Sequence, residues 1–420
     1  MRSTLLTRRL GALPTLHTFK ERNEQKVPSV FSSPNPILFG VGTSKQTGEK
    51  LKELGCSKVL LVYDAGIKAA GLVDKIDKTI IDSGVGTVHY SGVLADPPDW
   101  SVEQASALGA SEGIDGVVGL GGGSALDTAK GAGLLQANPP PISKYFGREG
   151  VVTKPSVPIV VIPTTAGTGS ECTPGGVITD TKAGIKTNIA GIGCKVSLGI
   201  IDPELTLGLP PSITASTGMD ALCHCAESYT SALANSFCDL TGREGIRLVG
   251  KYLVRAFENG SDLEAREGMM KAATLGGMSM SGPLCHLAHD IGKAMGGKFH
   301  VPHGNGCASC LPQVLEEVAP AVPDRVRYIA ESFGAEIPPG ASPVQIGKAA
   351  YTTIQGLMKK LKMPNMRELG LKKDELLANL PEIVESMQMG LVKLFGRGTF
   401  PLPVTAELIA SIISRAYDEN

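Results

Sequence analysis

The chain carries almost no net charge: Lys+Arg total 40 and Asp+Glu 41 in 420 residues, a formal charge of −1 at pH 7. Balance of this kind gives no overall attraction for a polyanion and argues against a nucleic-acid partner. No run approaches the roughly 18 consecutive apolar residues of a membrane-spanning helix, so no membrane association is expected. Internal repeats and low-complexity tracts are also missing. The 9 cysteines are odd in number and scattered through apolar surroundings, so they read as buried thiols of a reducing compartment rather than a disulfide frame. The N-terminus lacks the long apolar run of a secretory signal. Its first twenty residues hold Arg2, Arg8, Arg9 and Lys20 with no acid before Glu21, a composition like a mitochondrial transit segment, but Gly11 and Pro14 interrupt any long amphipathic helix. The expectation is an extended N-terminus on a cytoplasmic protein, with the mitochondrial matrix as the alternative.

What the chain has in quantity is core and turns. Hydrophobic residues make up 42%, and the length suits two domains. Glycine at 52 and proline at 28 are abundant, which implies many tight turns and close backbone approaches. From about residue 36 to 210, apolar β-rich runs alternate with helical patterns. The strands expected are 57–63, 85–90, 115–120, 158–163 and 197–202, and the helices between them include one through Leu72, Ile76 and Ile80 and one over 102–110. Nearly continuous apolar strands separated by helices indicate a parallel sheet covered on both faces. After Pro210-Pro211 the β-branched runs stop and apolar residues recur at helical spacing, as at Ile246, Val249, Leu253 and Phe257, and again after Ser342-Pro343. The division read is an extension over 1–35, an α/β domain over 36–210 and an all-α domain over 211–420, with a site in the cleft between the last two.

Two loops carry binding chemistry. GLGGGSALDTAK, residues 119–130, joins an apolar strand to a helix. Gly121, Gly122 and Gly123 strip the turn of side chains, so that a phosphate can approach backbone N–H groups at the helix start. Ser124 is placed to cap that helix and Asp127 to complement its positive end. Ser124 stands where a dinucleotide fingerprint has its third glycine, and no acid follows at the usual distance. The acid comes earlier instead: Asp64 ends the first strand, where its carboxylate would accept from a ribose 2′-hydroxyl and repel a 2′-phosphate, favouring NAD over NADP. The second loop, PTTAGTGSE at 163–171, offers Thr164, Thr165, Thr168 and Ser170 as donors, and Lys186 supplies a cation to the same cleft.

A possible metal constellation follows. Asp220 and His224 lie four apart in a helical context, on one face and one turn apart. Downstream, His286, His289, His300 and His303 place four of the chain's 7 histidines within eighteen positions. Any two of these with the upstream pair give one Asp and three His, open to a substrate oxygen and suited to Fe2+ or Zn2+. Spacing alone does not select the two. A thiolate zinc site from Cys223, Cys225, Cys285, Cys307 and Cys310 is the weaker alternative, because the single CxxC lacks a second pair.

GGGSALDTAK, IPTTAGTGSE, VITD followed by Lys186, IIDPELTLGLP, TGMDALCHCAESYTS and the late PHG, in this order, resemble the iron-containing (group III) alcohol dehydrogenase family over residues 36 to 400. The resemblance implies the iron-dependent alcohol dehydrogenase (dehydroquinate synthase-like) fold, an NAD-binding α/β domain and one divalent metal held by Asp220, His224, His289 and His303 in the cleft. It puts Gly121, Gly122, Gly123, Ser124 and Asp127 near the pyrophosphate, Thr164, Thr165 and Thr168 along the cofactor, Lys186 at the ribose side and Asp64 at the adenosine ribose. His286 and His300 become cleft-lining or supporting groups, with His286 a candidate catalytic residue. One departure stands out: many relatives have a second histidine four residues after the third ligand, where this chain has Lys293. An ammonium there could face the substrate and pair with a carboxylate, so Lys293 is a candidate for recognising a hydroxy acid or its oxo counterpart.

The implied reaction is reversible hydride transfer between a small alcohol or hydroxy acid and NAD, with the proton leaving through water, a ribose hydroxyl or a cleft histidine. Two other activities share the fold, a metal-independent maleylacetate-type reductase and a dehydroquinate synthase-like lyase, and a hydroxyacid-oxoacid transhydrogenase is a different class that Lys293 keeps open. A non-catalytic binding or filament-forming role is a separate class. A homodimer is expected from the apolar edges of such a fold.

Overall fold

The computed structural model describes residues 35–147, 153–381, 384 and 399–419, so the expectations for the first twenty residues lie outside the described residues. Among the described residues there are eight strands: β1 (Ile37–Phe39), β2 (Lys58–Val62), β3 (Gly86–Tyr90), β4 (Gly116–Gly121), β5 (Ile159–Pro163), β6 (Gly175–Asp180), β7 (Ile185–Ala190) and β8 (Leu198–Ile201). Between them run α1 (Thr47–Glu53), α2 (Ala65–Ala69), α3 (Leu72–Asp82), α4 (Asp99–Glu112) and α5 (Gly123–Ala137).

Six strands form one parallel sheet in the order β1-β8-β5-β4-β2-β3. Val59, Leu60, Leu61 and Val62 of β2 have no exposed surface, as expected of a strand with helices on both faces. From β2 the chain moves outward to β3, whereas from β4 it moves the other way to β5. The carboxyl ends of adjacent β2 and β4 therefore flank the topological switch point, the usual ligand crevice of a doubly wound sheet. Asp64 and Gly121–Gly123 sit at those two ends.

All five expected strands form, each within a residue or two of its predicted limits, and so do the helices read at Leu72–Ile80 and 102–110. Three strands were not anticipated. β1 is a three-residue edge strand beside β8. The polar stretch before β8 contains the antiparallel hairpin β6–β7, paired from Gly175↔Ala190 to Asp180↔Ile185. Its alternation is weakened by glycine and charge, and it folds by leaning on α5, where Val177 N–H donates to Asp127 Oδ2 at 2.8 Å.

Among the described residues the remaining α-helices are α6 (Pro211–Thr230), α7 (Ser236–Glu258), α8 (Leu263–Ser279), α9 (Leu287–Phe299), α10 (His303–Val318), α11 (Pro323–Ser332), α12 (Pro343–Lys360), α13 (Lys373–Ala378) and α14 (Ala406–Glu419). Local signals set their starts. Proline occupies the first turn of α6 and α12, Asp262 caps α8 by accepting from Ala265 N–H, and Ser342 and Gln345 form a reciprocal capping box on α12. One apolar cluster joins these helices, with Leu222, Leu253, Met269, Ile291, Leu311 and Ile354 among its buried members. Among the described residues no helix is long and apolar enough to cross a membrane.

Candidate active site

Three helices bring the three expected histidines around Asp220. α6 presents Asp220 and His224 one turn apart, α9 presents His289, and α10 opens with His303. The Nε2 atoms of His289 and His303 each lie 3.7 Å from Asp220 Oδ1, and His224 Nε2 lies 4.0 Å from it. Metal bonds of 2.0–2.2 Å put neighbouring donors about 3.0–3.5 Å apart, so a slight contraction would close the set on a cation. Asp220 Oδ1 and His289 Nε2 are buried with no hydrogen-bond partner. Each such orphan costs about 1–3 kcal/mol, and a dication is the ligand that would satisfy a carboxylate oxygen and three imidazole nitrogens together. Asp220 and His224 are deeply buried, while the His303 side chain is 37% exposed, so the opening lies on the His303 side.

The supporting contacts aim the rings. His224 Nδ1 lies 3.2 Å from the Gly167 carbonyl oxygen, to which it donates, leaving the Nε2 lone pair for a cation. His289 Nδ1 bonds to Glu227 Oε2. Burial alone would raise the Asp220 carboxyl, but the imidazoles of His224, His303 and His289 outweigh it and hold its pKa below the usual carboxylate value. Burial lowers His224 despite the opposing pull of Asp220. It also pushes His303 down to about 4, with His289 and Lys186 adding to the effect, so His303 is neutral and ready to ligate at ordinary pH. Burial disfavours charge on His289, yet Cys285 and Glu227 prevail and hold its pKa well above the ordinary imidazole range.

Cys285 groups with His224 and His289, and Cys307 with Asp220, His289 and His303, each set having ligand atoms within 4.8 Å of one another. Each such cluster among the described residues contains a single cysteine, so the all-thiolate zinc alternative gains no support. Burial raises both thiols.

The glycine-rich turn faces the second loop across the crevice. Gly121 has φ 148, and a Cβ there would lie 2.8 Å from Ala125 Cβ and 3.6 Å from Asp64 Oδ2. Gly122 and Gly123 lie against Thr165 and Thr168, while Thr164 N–H donates to the Gly121 carbonyl at 2.9 Å. The same 164–170 loop reaches His224 through Gly167 and docks on α8 at Gly169. There φ is +61, and a Cβ would come within 2.5 Å of Gly277 Cα. One loop therefore couples the glycine-rich turn to His224.

Several expected roles need correction. Ser124 does not cap α5: the N-cap is Gly122, with no side-chain cap, and Ser124 lies inside the helix. Asp127 does not face the turn, because it is buried, accepts from Ser170 Oγ at 2.7 Å and Val177 N–H, and sits 3.8 Å from the buried Lys130 ammonium. Asp64 accepts from Ile67 N–H at 3.0 Å and caps α2, though Oδ2 still faces Gly121. Lys186 is buried against Asp96 at 2.6 Å, a neutralised cation beside α9. His286 lines no cleft and touches no reacting group: it is fully buried, with Nε2 2.8 Å from Thr230 Oγ1 and Nδ1 3.0 Å from Glu227 Oε1. His300 ends α9 in the left-handed conformation, at φ 56, and is exposed. Lys293 Nζ lies 3.4 Å from Asn188 Oδ1 on β7.

Sequence reasoning passed over Glu227, Lys130 and the Gly167 carbonyl. Glu227 was detectable: Asp220, His224 and Glu227 fall at i, i+4 and i+7, a polar stripe on an otherwise apolar helix. Lys130 gave no signal beyond its place in an apolar helix, and a backbone carbonyl gives none.

Comparison with known proteins agrees with this arrangement. Residues 34–203 match the family described as iron-containing alcohol dehydrogenase, and residues 214–417 match the C-terminal domain of the Fe-containing alcohol dehydrogenase family. The chain is 37% identical over 348 residues to a choline dehydrogenase of Bacillus subtilis (strain 168), covering 82% of this chain and 86% of that one. It is 34% identical to the NAD-dependent methanol dehydrogenase of Bacillus methanolicus, over 82% of this chain and 91% of the other. A crystal structure of 1,3-propanediol oxidoreductase superposes with a TM-score of 0.85 at 33% identity, covering 93% of this chain and all of that one. The chain belongs to the iron-containing alcohol dehydrogenase family and is an oxidoreductase acting on CH–OH groups.

Proposed function

We propose that this chain transfers hydride reversibly between the carbinol carbon of a small alcohol or hydroxy acid and the nicotinamide of NAD, with Fe2+ or Zn2+ held by Asp220, His224, His289 and His303. The observation that carries the reading is the convergence of those four side chains on a point where Asp220 Oδ1 and His289 Nε2 are buried and orphaned. A bound dication would supply Lewis acidity to the substrate oxygen, favouring the alkoxide in one direction and polarising the carbonyl in the other. The chain's own groups do the rest. Gly167 and Glu227 aim His224 and His289, and the glycine turn with Thr165 and Thr168 forms the phosphate cradle. The carboxylate of Asp64 beside Gly121 favours a ribose 2′-hydroxyl over a 2′-phosphate, and so NAD over NADP.

Lys293, one helical turn from His289, favours an anionic substrate. It also disfavours a quaternary ammonium substrate such as choline, which needs an aromatic or acidic seat. A metal-independent reductase of the maleylacetate type is disfavoured because all four ligand side chains are present and aligned. Transhydrogenation between a hydroxy acid and an oxo acid through retained NAD is the second reading, and Lys293 is again what favours it. We take the protein to act as a cytoplasmic homodimer, which sedimentation would test.

Anaerobic purification with metal analysis, then a screen of alcohols and hydroxy acids against NAD, NADP and an oxo-acid acceptor, separates these readings. Lys293→Ala should lower kcat/KM for hydroxy acids at least tenfold more than for matched alcohols. Equal losses on both would remove the anionic-substrate assignment.

A further inference from the structure

We propose that Glu227 is a positioning residue that fixes the tautomer of His289, and through it the affinity of the site for its cation. This rests on the metal-dependent reading above. Glu227 is fully buried on α6, on the same helical face as Asp220 and His224. Its two oxygens have separate tasks. Oε1 faces the start of α9, accepting from Ala288 N–H at 2.8 Å with the N–H groups of His286 and His289 at 3.3 and 3.4 Å. Oε2 takes Nδ1 of His289.

A carboxylate can only accept, so His289 must carry a proton on Nδ1, and the neutral ring that binds a cation then turns its Nε2 lone pair toward Asp220 Oδ1, 3.7 Å away. The contact thus decides which ring nitrogen is offered to the cation. His286 Nδ1 sits 3.0 Å from Oε1 and its Nε2 meets Thr230 Oγ1, so a fully buried imidazole packs against the carboxylate and buttresses it. One short acidic side chain both anchors the helix that carries His289 and sets that ligand's chemistry.

Glu227→Gln separates the two tasks. The amide oxygen can keep the backbone cap, but the amide NH2 placed at Oε2 donates instead of accepting. His289 then accepts at Nδ1 and carries its proton on Nε2, pointing an N–H at Asp220 where the cation belongs. Zn2+ serves as the probe, with affinity measured by competition against a chromophoric chelator. Wild type is measured first: if it binds no Zn2+, the metal-dependent reading fails. If it binds, the expected result is a 10–100-fold weaker affinity in Glu227→Gln, with the thermal midpoint of the metal-free protein near wild type. Thr230→Val, which removes only the outer buttress, should stay within about threefold of wild type, on the same scale. Equal affinities for wild type and Glu227→Gln overturn the inference, as does a loss that merely tracks metal-free stability across both variants. Should Glu227→Gln not fold, nitrogen-15 spectra of Zn2+-loaded wild type decide. His289 coordinated through Nε2 with a protected Nδ1–H supports the proposal, and coordination through Nδ1 overturns it.

Discussion

Replacing Lys130 by methionine removes a buried ammonium while nearly preserving its volume. Lys130 has no exposed surface. Its Nζ donates to the Ser170 carbonyl at 2.6 Å, Ser170 Oγ at 2.7 Å, the Gly175 carbonyl at 2.8 Å and Thr173 Oγ1 at 3.2 Å, and lies 3.8 Å from Asp127. At an effective dielectric near 20, unit charges at the 3.8 Å separation interact by about 4 kcal/mol. Stranding one partner of a buried pair costs about 3–5 kcal/mol, so the two estimates agree. Lys130→Met should therefore destabilise the α/β domain by about 3–5 kcal/mol. Asp127→Asn combined with Lys130→Met should cost less than the sum of the single changes by about 1–3 kcal/mol, because neither charge is then left alone.

The chain's one tryptophan, Trp100, begins α4 beside the β6–β7 hairpin and reports urea unfolding of that domain. Because Lys130 also ties Ser170 to α5, the 164–170 loop should loosen, raising KM for NAD several-fold with little change in kcat. A Lys130→Met loss below about 1 kcal/mol, or strict additivity with Asp127→Asn, would refute the view that a buried ion pair anchors the cofactor loop.

Three further outcomes are expected. Gly121→Ala places a Cβ 2.8 Å from Ala125 Cβ at φ 148, so it should destabilise by about 1–3 kcal/mol and weaken NAD binding in calorimetry. Asp115 accepts from Ser57 and Lys58 N–H at 2.9 Å. Burial would raise its carboxyl, but these bonds and the Ser57 hydroxyl outweigh it and hold the pKa below the ordinary carboxylate value. A depressed carboxyl stabilises above its unfolded pKa, and the contribution fades as pH falls through the folded value. Asp115→Asn should accordingly cost about 1–2 kcal/mol at pH 7 and almost nothing at the acid end, as read from urea midpoints against pH. Chelation of the metal-loaded protein should abolish alcohol oxidation and remove about 2.7 kcal/mol of stability where the cation had been held at 100 times Kd, as checked by scanning calorimetry before and after chelation.

The parallel sheet was legible because β2, β4 and β5 are continuous apolar runs ended by Asp64, Gly122 and Thr164. The helical half was legible through Pro211, Ser342 and regular apolar spacing. Asp220 and His224 could be paired from sequence because helical geometry alone puts them together. His289 and His303 could not, since they meet α6 only through tertiary packing, and the family resemblance selected them. The hairpin β6–β7 escaped because its stability comes from Asp127 and Lys130, more than 40 residues earlier, rather than from its own alternation. Asp127 and His286 were assigned to the crevice because both sit in motifs. Packing turned them inward, to Ser170 and Val177 in one case and to Glu227 and Thr230 in the other. Glu227 shared a helical face with two predicted ligands, but its partner His289 lies 62 residues away.

The claim on which the account stands is that Asp220, His224, His289 and His303 hold a single catalytic dication. The direct measurement is metal content per chain in anaerobically purified wild type and Asp220→Asn, assayed together with NAD reduction by alcohols. The account predicts one equivalent of Fe2+ or Zn2+ and activity in wild type, and little of either in the variant. Full activity in rigorously metal-free wild type, or one equivalent retained by Asp220→Asn, would contradict it.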